Sequence, residues 1–189
     1  SGCGKGGDAA SQAPVNPRRG GRLRLGIIDG ERSGNLDAHK PLGLGATIRG
    51  FAMYSKLWEW DENMLPRLAL AESVEPNRNA SAWDIRLRPG LEFHNGKSIT
   101  ADDVIFSWKR SLTPGSDMKG SGAKASDIKK VDDYTIEVTT PTPNPILPRE
   151  WVFLYIMSKT WAEKNKTTEA TNVKGDNQGN YANLNANGT

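Results

Sequence analysis

The stretch Trp83-Asp84-Ile85-Arg86-Leu87-Arg88-Pro89-Gly90-Leu91-Glu92-Phe93-His94-Asn95-Gly96-Lys97-Ser98-Ile99-Thr100-Ala101-Asp102-Asp103-Val104 decides the fold. Trp83, Ile85 and Leu87 alternate with Asp84, Arg86 and Arg88, the two-residue period of a strand with one buried face. Pro89 and Gly90 break the run, and Leu91 and Phe93 resume it against Glu92 and His94. Asn95-Gly96 suits a two-residue type I′ hairpin turn, whose central residues both take positive φ. Lys97 to Ile99 is then the returning arm. Thr100 stands as a helix N-cap, its hydroxyl accepting from the Asp103 N–H while the Asp103 carboxylate reaches back. Asp102 and Asp103 also favour the positive end of the helix dipole. Val104, Trp108 and Leu112, with Ile105 beside them, predict an inward-packing helix over Ala101 to Leu112.

Downstream, a Gly-, Ser- and Lys-rich loop from Thr113 to Ala125 leads to a second hairpin. There Ile128 and Val131 precede Asp132-Asp133, and Tyr134, Ile136 and Val138 alternate with polar residues. Pro141, Pro143, Pro145 and Pro148 exclude a regular central strand between Thr140 and Arg149. The apolar run Trp151 to Met157 predicts a fully buried strand, Lys159 to Lys164 a short helix, and the polar residues from Asn165 onward a mobile tail. Upstream, Leu23, Leu25 and Ile27 alternate with Arg22, Arg24 and Gly26 and run into Ile28, a strand signal followed by a polar loop from Asp29 to Pro41. Ile48, Phe51, Ala52, Ser55 and Trp58 share a helical face of about three turns. Trp58 and Trp60 bracket the turn residues Asp61-Glu62-Asn63 and are expected to pack rather than to form a sugar platform. Ser1 to Gly21, rich in Gly, Ala, Ser, Gln and Pro, cannot offset its ordering entropy and reads as a tether.

At 189 residues the chain holds one domain, or one and part of another. No apolar run approaches the roughly 20 residues needed to cross a bilayer as a helix. The net charge of +3 sits largely in the tail, on Lys5, Arg18, Arg19, Arg22 and Arg24, not on a folded face interleaved with aromatics, so no nucleic-acid partner is expected. His39 and His94, the only histidines, lack companions at metal-ligand spacing. Asp102 and Asp103 are neighbours on a helix and do not face each other, which favours capping over acid–base work. No phosphate loop or nucleophile elbow appears, so neither an enzyme nor a cofactor is expected. Cys3, the only cysteine, follows Ser1-Gly2 and heads a glycine-rich stretch. Alone it reads equally as a surface thiol or as the acylated first residue of a lipoprotein.

The stretch from Trp83 to Val104 closely resembles the signature of the family 5 extracellular solute-binding proteins, the oligopeptide-, dipeptide- and nickel-binding receptors of ABC importers. Leu36-Asp37-Ala38-His39-Lys40 resembles the loop after that family's first strand, and Tyr54-Ser55-Lys56-Leu57 the end of its first helix. Pro66-Arg67-Leu68-Ala69 with Ala71-Glu72-Ser73 resembles the strand entry before the hairpin, and Gly188-Thr189 the start of a Gly-Thr-Gly-Pro-aromatic segment. Ala38 departs from the family's usual proline.

The resemblance implies an α/β, mixed α+β, periplasmic-binding-protein-like fold with one lobe only. Residues 1–21 are then a lipoprotein-type tether, 22–48 the start of the main α/β domain, 49–148 an inserted α+β subdomain, and 149–189 an incomplete return to the main domain. It implies a non-enzymatic receptor that captures oligopeptide-like solutes outside the cytoplasm, passes them to ABC permease subunits, and is lipid-anchored to the membrane through Cys3. Arg32, Ser33 and Gly34 fall in the loop that lines the cleft, and Met118 in a loop that borders it. Extended backbone there would bond a peptide main chain by strand addition. The alternative is a truncated structural or interaction module without a ligand of its own. With one wall of the cleft, the chain alone is expected to bind weakly.

Overall fold

The computed structural model describes residues 20–27, 35–40, 43–172 and 179–189. The elements run α1 (Leu44–Met53), β1 (Trp58–Trp60), β2 (Pro66–Leu68), β3 (Ala71–Pro76), β4 (Ala82–Leu87), α2 (Ala101–Ser111) and α3 (Lys119–Gly122). They continue with β5 (Asp127–Lys130), β6 (Thr135–Thr139), α4 (Leu147–Glu150), α5 (Lys159–Lys164) and a 3₁₀ turn, Tyr181–Asn183. The architecture is mixed helix and sheet, as expected. β1 and β2 form a small antiparallel hairpin, and the main sheet is antiparallel in the order β3-β4-β6-β5.

The alternation in β4 places Trp83, Ile85 and Leu87 on one face, and register aligns them with apolar partners, Ile85 with Ile136 and Trp83 with Val138. Ile128 of β5 lies opposite Val138, so three strands present one continuous apolar face. Val104 and Trp108 of α2 join the same buried cluster. Burying side chains of this size contributes roughly 1.5–3 kcal/mol each. Two indoles are held by the short α3: Trp108 Nε1 donates to Gly122 O and Trp151 Nε1 to Ser121 O, both at 2.9 Å. Trp151 also stacks on Trp58, centroids 6.3 Å apart, so the expectation that Trp58 packs internally holds.

The predicted cap forms. Asp103 Oδ2 accepts from the Thr100 N–H at 3.0 Å in a capping box. The hairpin before it differs from expectation. Gly96 has φ +78° but Asn95 is not left-handed, and Gly96 N donates to Phe93 O while Phe93 N donates to Lys97 O. This is a three-residue loop, a turn closed by one left-handed glycine, rather than type I′.

Four other expectations are corrected. Residues 22–27 form no strand, and Leu23 and Leu25 are 81% and 63% exposed, because no described backbone lies alongside to pair with them. α1 ends at Met53, so Ser55 and Trp58 leave the helical face. Its buried side is Gly45, Ala46 and Gly50, and a Cβ at Gly50 would lie 3.1 Å from the Tyr155 ring. Leu112 lies beyond the end of α2 and is 39% exposed. Trp151 to Met157 is buried apart from Phe153, but it makes only one bridge, Lys56 with Tyr155, and is not a regular strand.

The C-terminal stretch is not featureless. Thr167, Ala170, Thr171, Ala182 and Asn187 are buried, and Gly188 sits where any Cβ would meet Met53 O at 1.5 Å. Thr189 N donates to Met53 O, and the Ser55 N–H donates to Thr189 Oγ1. The buried polar groups described here, Thr171 and Thr189 among them, are hydrogen-bonded to the body of the protein.

Candidate ligand-facing loops and their buried anchor

Helix α2 has a second buried side. Asp103, Ser107, Arg110 and Ser111 recur at helical spacing and are all within 1% of complete burial. Each finds partners in neighbouring backbone, as buried polar groups must. Asp103 Oδ1 accepts from Lys159 N at 2.9 Å and Oδ2 from Lys97 Nζ at 2.6 Å, tying hairpin, α2 and α5 together. The Ser107 hydroxyl donates to Asp103 O and accepts from Met157 N.

Arg110 is the centre of the arrangement. Its fork meets Asp37 in two parallel bonds, Nη1 to Oδ1 at 2.6 Å and Nη2 to Oδ2 at 2.8 Å. Bidentate pairs of this kind fix orientation as well as distance. Nε donates to Thr167 O at 3.0 Å and Nη2 to Glu169 O at 2.9 Å. Asp37 also accepts from His39 N through Oδ1, and from Thr171 N and Oγ1 through Oδ2. Two completely buried charges are thereby compensated by each other and by neutral donors, which is the condition for burying an ion pair.

His39 completes the network. Its Nε2 lies 3.0 Å from Tyr155 O and its Nδ1 3.1 Å from Arg110 Nη1. A carbonyl only accepts and a guanidinium only donates, so Nε2 carries the proton and Nδ1 the lone pair. Burial, reinforced by the Arg110 charge, pushes His39 down to about 4, against the opposing pull of Asp37 and the Tyr155 carbonyl. Burial acts to raise Asp37, but the Arg110 bonds and charge, with His39, hold it at about 2. Burial above all pushes the Tyr54 hydroxyl up; it donates to Leu36 O at 3.0 Å.

These contacts hold Asn35 to Lys40, a segment without helix or strand. Leu36 N donates to Asn183 O, Asp37 N to Asn35 Oδ1, and Asp117 N to His39 O at 2.9 Å. Lys40 Nζ meets the Asp117 carboxylate at 2.9 Å. Met118 follows, half-buried at the head of α3, its N–H donating to Ser116 Oγ. The loop that carries Met118 is therefore docked on the segment that follows Gly34 in the chain. Arg32, Ser33, Gly34 and Cys3 lie outside the described residues. His94 is exposed on the hairpin, as expected.

The anchor itself escaped the reading of the sequence. Its available signal was the polar stripe at 103, 107, 110 and 111 on a helix whose other side is apolar. Among the described residues no three His, Cys, Asp or Glu side chains converge as metal ligands, and no helix is long and apolar enough to cross a membrane.

The sheet, the capped helix and the docked loops together have the architecture of part of a periplasmic-binding-protein lobe. Residues 66–189 match the model of the bacterial extracellular solute-binding proteins, family 5 Middle, and the chain belongs to that family. It is 30% identical over 132 residues to the oligopeptide-binding protein AppA of Bacillus subtilis, covering 68% of this chain and 24% of that protein. It is 29% identical over 155 residues to the periplasmic oligopeptide-binding protein OppA of Escherichia coli, covering 72% of this chain and 28% of OppA. The structure of Listeria monocytogenes OppA bound to peptide superposes with a TM-score of 0.65 at 21% identity, over 75% of this chain and 32% of that one. The chain thus spans about a quarter of the length of the curated relatives it matches.

Proposed function

We propose that the protein is the substrate-binding component of an ABC importer, capturing oligopeptide-like solutes outside the cytoplasm and delivering them to the permease. Family membership over residues 66–189 is the observation that carries this reading. The names of AppA and OppA supply the solute class. Arg32, Ser33, Gly34 and Met118 line one wall of the cleft in this reading. Support comes from the docking of the Met118 loop on the segment that follows Gly34. Residues 1–21 act as a tether, lipid-anchored through Cys3, residues 49–148 as the inserted subdomain, and 149–189 as the return to the main domain.

Peptide capture between two lobes follows from physics. A ligand touching both walls favours the closed arrangement by its differential contacts, and closure then marks the loaded receptor for the permease. The full gene product, titrated calorimetrically with a mixed oligopeptide library, is expected to give saturable heat. Absence of saturable binding to any peptide sinks the assignment of solute class. The 189-residue chain alone should bind weakly, because a ligand on one open wall keeps most of its surface wet. An N-terminal peptide whose mass shows an unmodified Cys3 in membranes of the native host would remove the anchor.

A further inference from the structure

His39 is completely buried in a segment that has neither helix nor strand, and both nitrogens of its ring are committed. Nε2–H donates to Tyr155 O at 3.0 Å, and Nδ1 accepts from Arg110 Nη1 at 3.1 Å. Turning the ring over exchanges the two nitrogens without freeing either. A second proton, on Nδ1, would face a guanidinium N–H at hydrogen-bond distance, donor against donor and cation against cation, with both side chains out of reach of solvent. The other ionisable groups around the ring give no relief. Asp37, held at about 2, already accepts from His39 N and Arg110 through Oδ1, and from Arg110 and Thr171 through Oδ2. The Tyr54 and Tyr155 phenols are pushed up by burial and stay neutral at the pH values where histidine titrates. Lys40 and Asp117 are occupied with each other at 2.9 Å.

We propose that residues 35–40 are an acid-released latch. Proton uptake by His39 expels the ring from beside Arg110 and frees the segment from α2, from Asp117 and from Asn183, while the four-stranded sheet stays folded. The segment is joined to those neighbours by single bonds rather than by a ladder: Leu36 N donates to Asn183 O and Asp117 N to His39 O, each at 2.9 Å. The core on the other side of α2, with Val104, Trp108, Ile85, Ile136 and Val138, holds no group that takes up a proton in this range. A ring released to water regains its ordinary 6.5, whereas the buried ring is held at about 4, so opening is linked to proton uptake between those values. From pH 7 to pH 5 the open fraction therefore rises about twentyfold. The latch is independent of any solute.

Hydrogen exchange of the 189-residue chain in low urea, corrected for the intrinsic effect of pH on amide exchange, reads the latch at the Leu36 and Asp117 amides. Their protection is expected to fall about twentyfold from pH 7 to pH 5. It should vary little with urea, because a short segment exposes little surface when it opens. Amides of β4 and β6 are expected to exchange more slowly at both pH values, with the steep urea dependence of global unfolding. His39→Gln keeps a donor and an acceptor but takes up no proton, and is expected to hold the protection at Leu36 and Asp117 constant from pH 7 to pH 5. Protection at those amides that does not change with pH, or that follows urea as steeply as β4, overturns the proposal. So does a His39→Gln chain that loses protection as the unmodified chain does. Where His39→Gln does not fold, the ring resonances of His39 in the unmodified chain are followed instead: they are expected to titrate together with the loss of protection, and a ring that titrates while both amides stay protected overturns the latch.

Discussion

The two sides of α2 meet their neighbours by opposite physics. On one, Val104 and Trp108 pack against Ile85, Ile128, Ile136 and Val138 in a core that demands volume and little direction. On the other, Asp103, Ser107, Arg110 and Ser111 face backbone groups and one buried carboxylate, where every bond has a direction and every unpaired group is costly. The dry side is built from regular elements with alternating residues. The polar side meets the start of α5 and the irregular segments 35–40 and 165–171, which are held in place by side chains. Irregular backbone of this kind needs such an anchor, since loops have no ladder of their own.

The comparison breaks most visibly at Arg110. Arg110→Ala strands Asp37 as a buried charge and should cost about 3–5 kcal/mol in urea unfolding, most of which Asp37→Leu/Arg110→Met should recover. A loss near zero would mean that water reaches Asp37 and that the two sides of α2 do not differ as described.

On the dry side, Ile136→Ala leaves a cavity opposite Ile85 and should cost about 2–5 kcal/mol. Here the sharpening is in the pH dependence: the loss should be equal at pH 5 and pH 7, because the side chain removed lies wholly within an apolar cluster.

The polar side should feel pH in its own right. His39 is held at about 4 in the fold, below its ordinary 6.5, so the unfolded chain binds more protons between those values and stability falls as pH drops through that window. Between pH 7 and pH 5 the loss is about 2 kcal/mol. Asp37, held at about 2 against an ordinary 3.8, adds a second loss only below pH 3.8. His39→Gln should flatten the first slope and leave the second. An unflattened slope would assign the acid sensitivity to other groups.

The smallest effect is at the join between the two sides. Thr100→Ala weakens the cap of α2 and should cost about 0.5–2 kcal/mol, lowering the melting temperature without changing ligand preference. An unchanged melting temperature would show that the Asp103 carboxylate, bonded also to Lys97 and Lys159, holds the helix start unaided.

What could be read without coordinates follows this division. The alternation of Trp83, Ile85 and Leu87, the turn glycine at 96, the Thr100 cap and the Asp132-Asp133 hairpin are local signals, each complete within a few residues, and all four appear in the fold. The 22–27 and 151–157 runs form no regular strand because alternation or apolarity reports burial and pairing potential, while a strand exists only if a neighbour's backbone arrives to pair with it. The candidate loops were placed by resemblance, and their anchor was invisible: Asp37 and Arg110 are 73 residues apart and each alone looks like a solvated charge. By itself the sequence determined the family, the alternation of β4 and the capped helix, because those depend on period, short-range hydrogen bonding and a contiguous motif. Only the tertiary structure decided that a buried fork ties the 35–40 and 167–171 segments to α2, because the two charges meet and are shielded from water only when distant segments close over them.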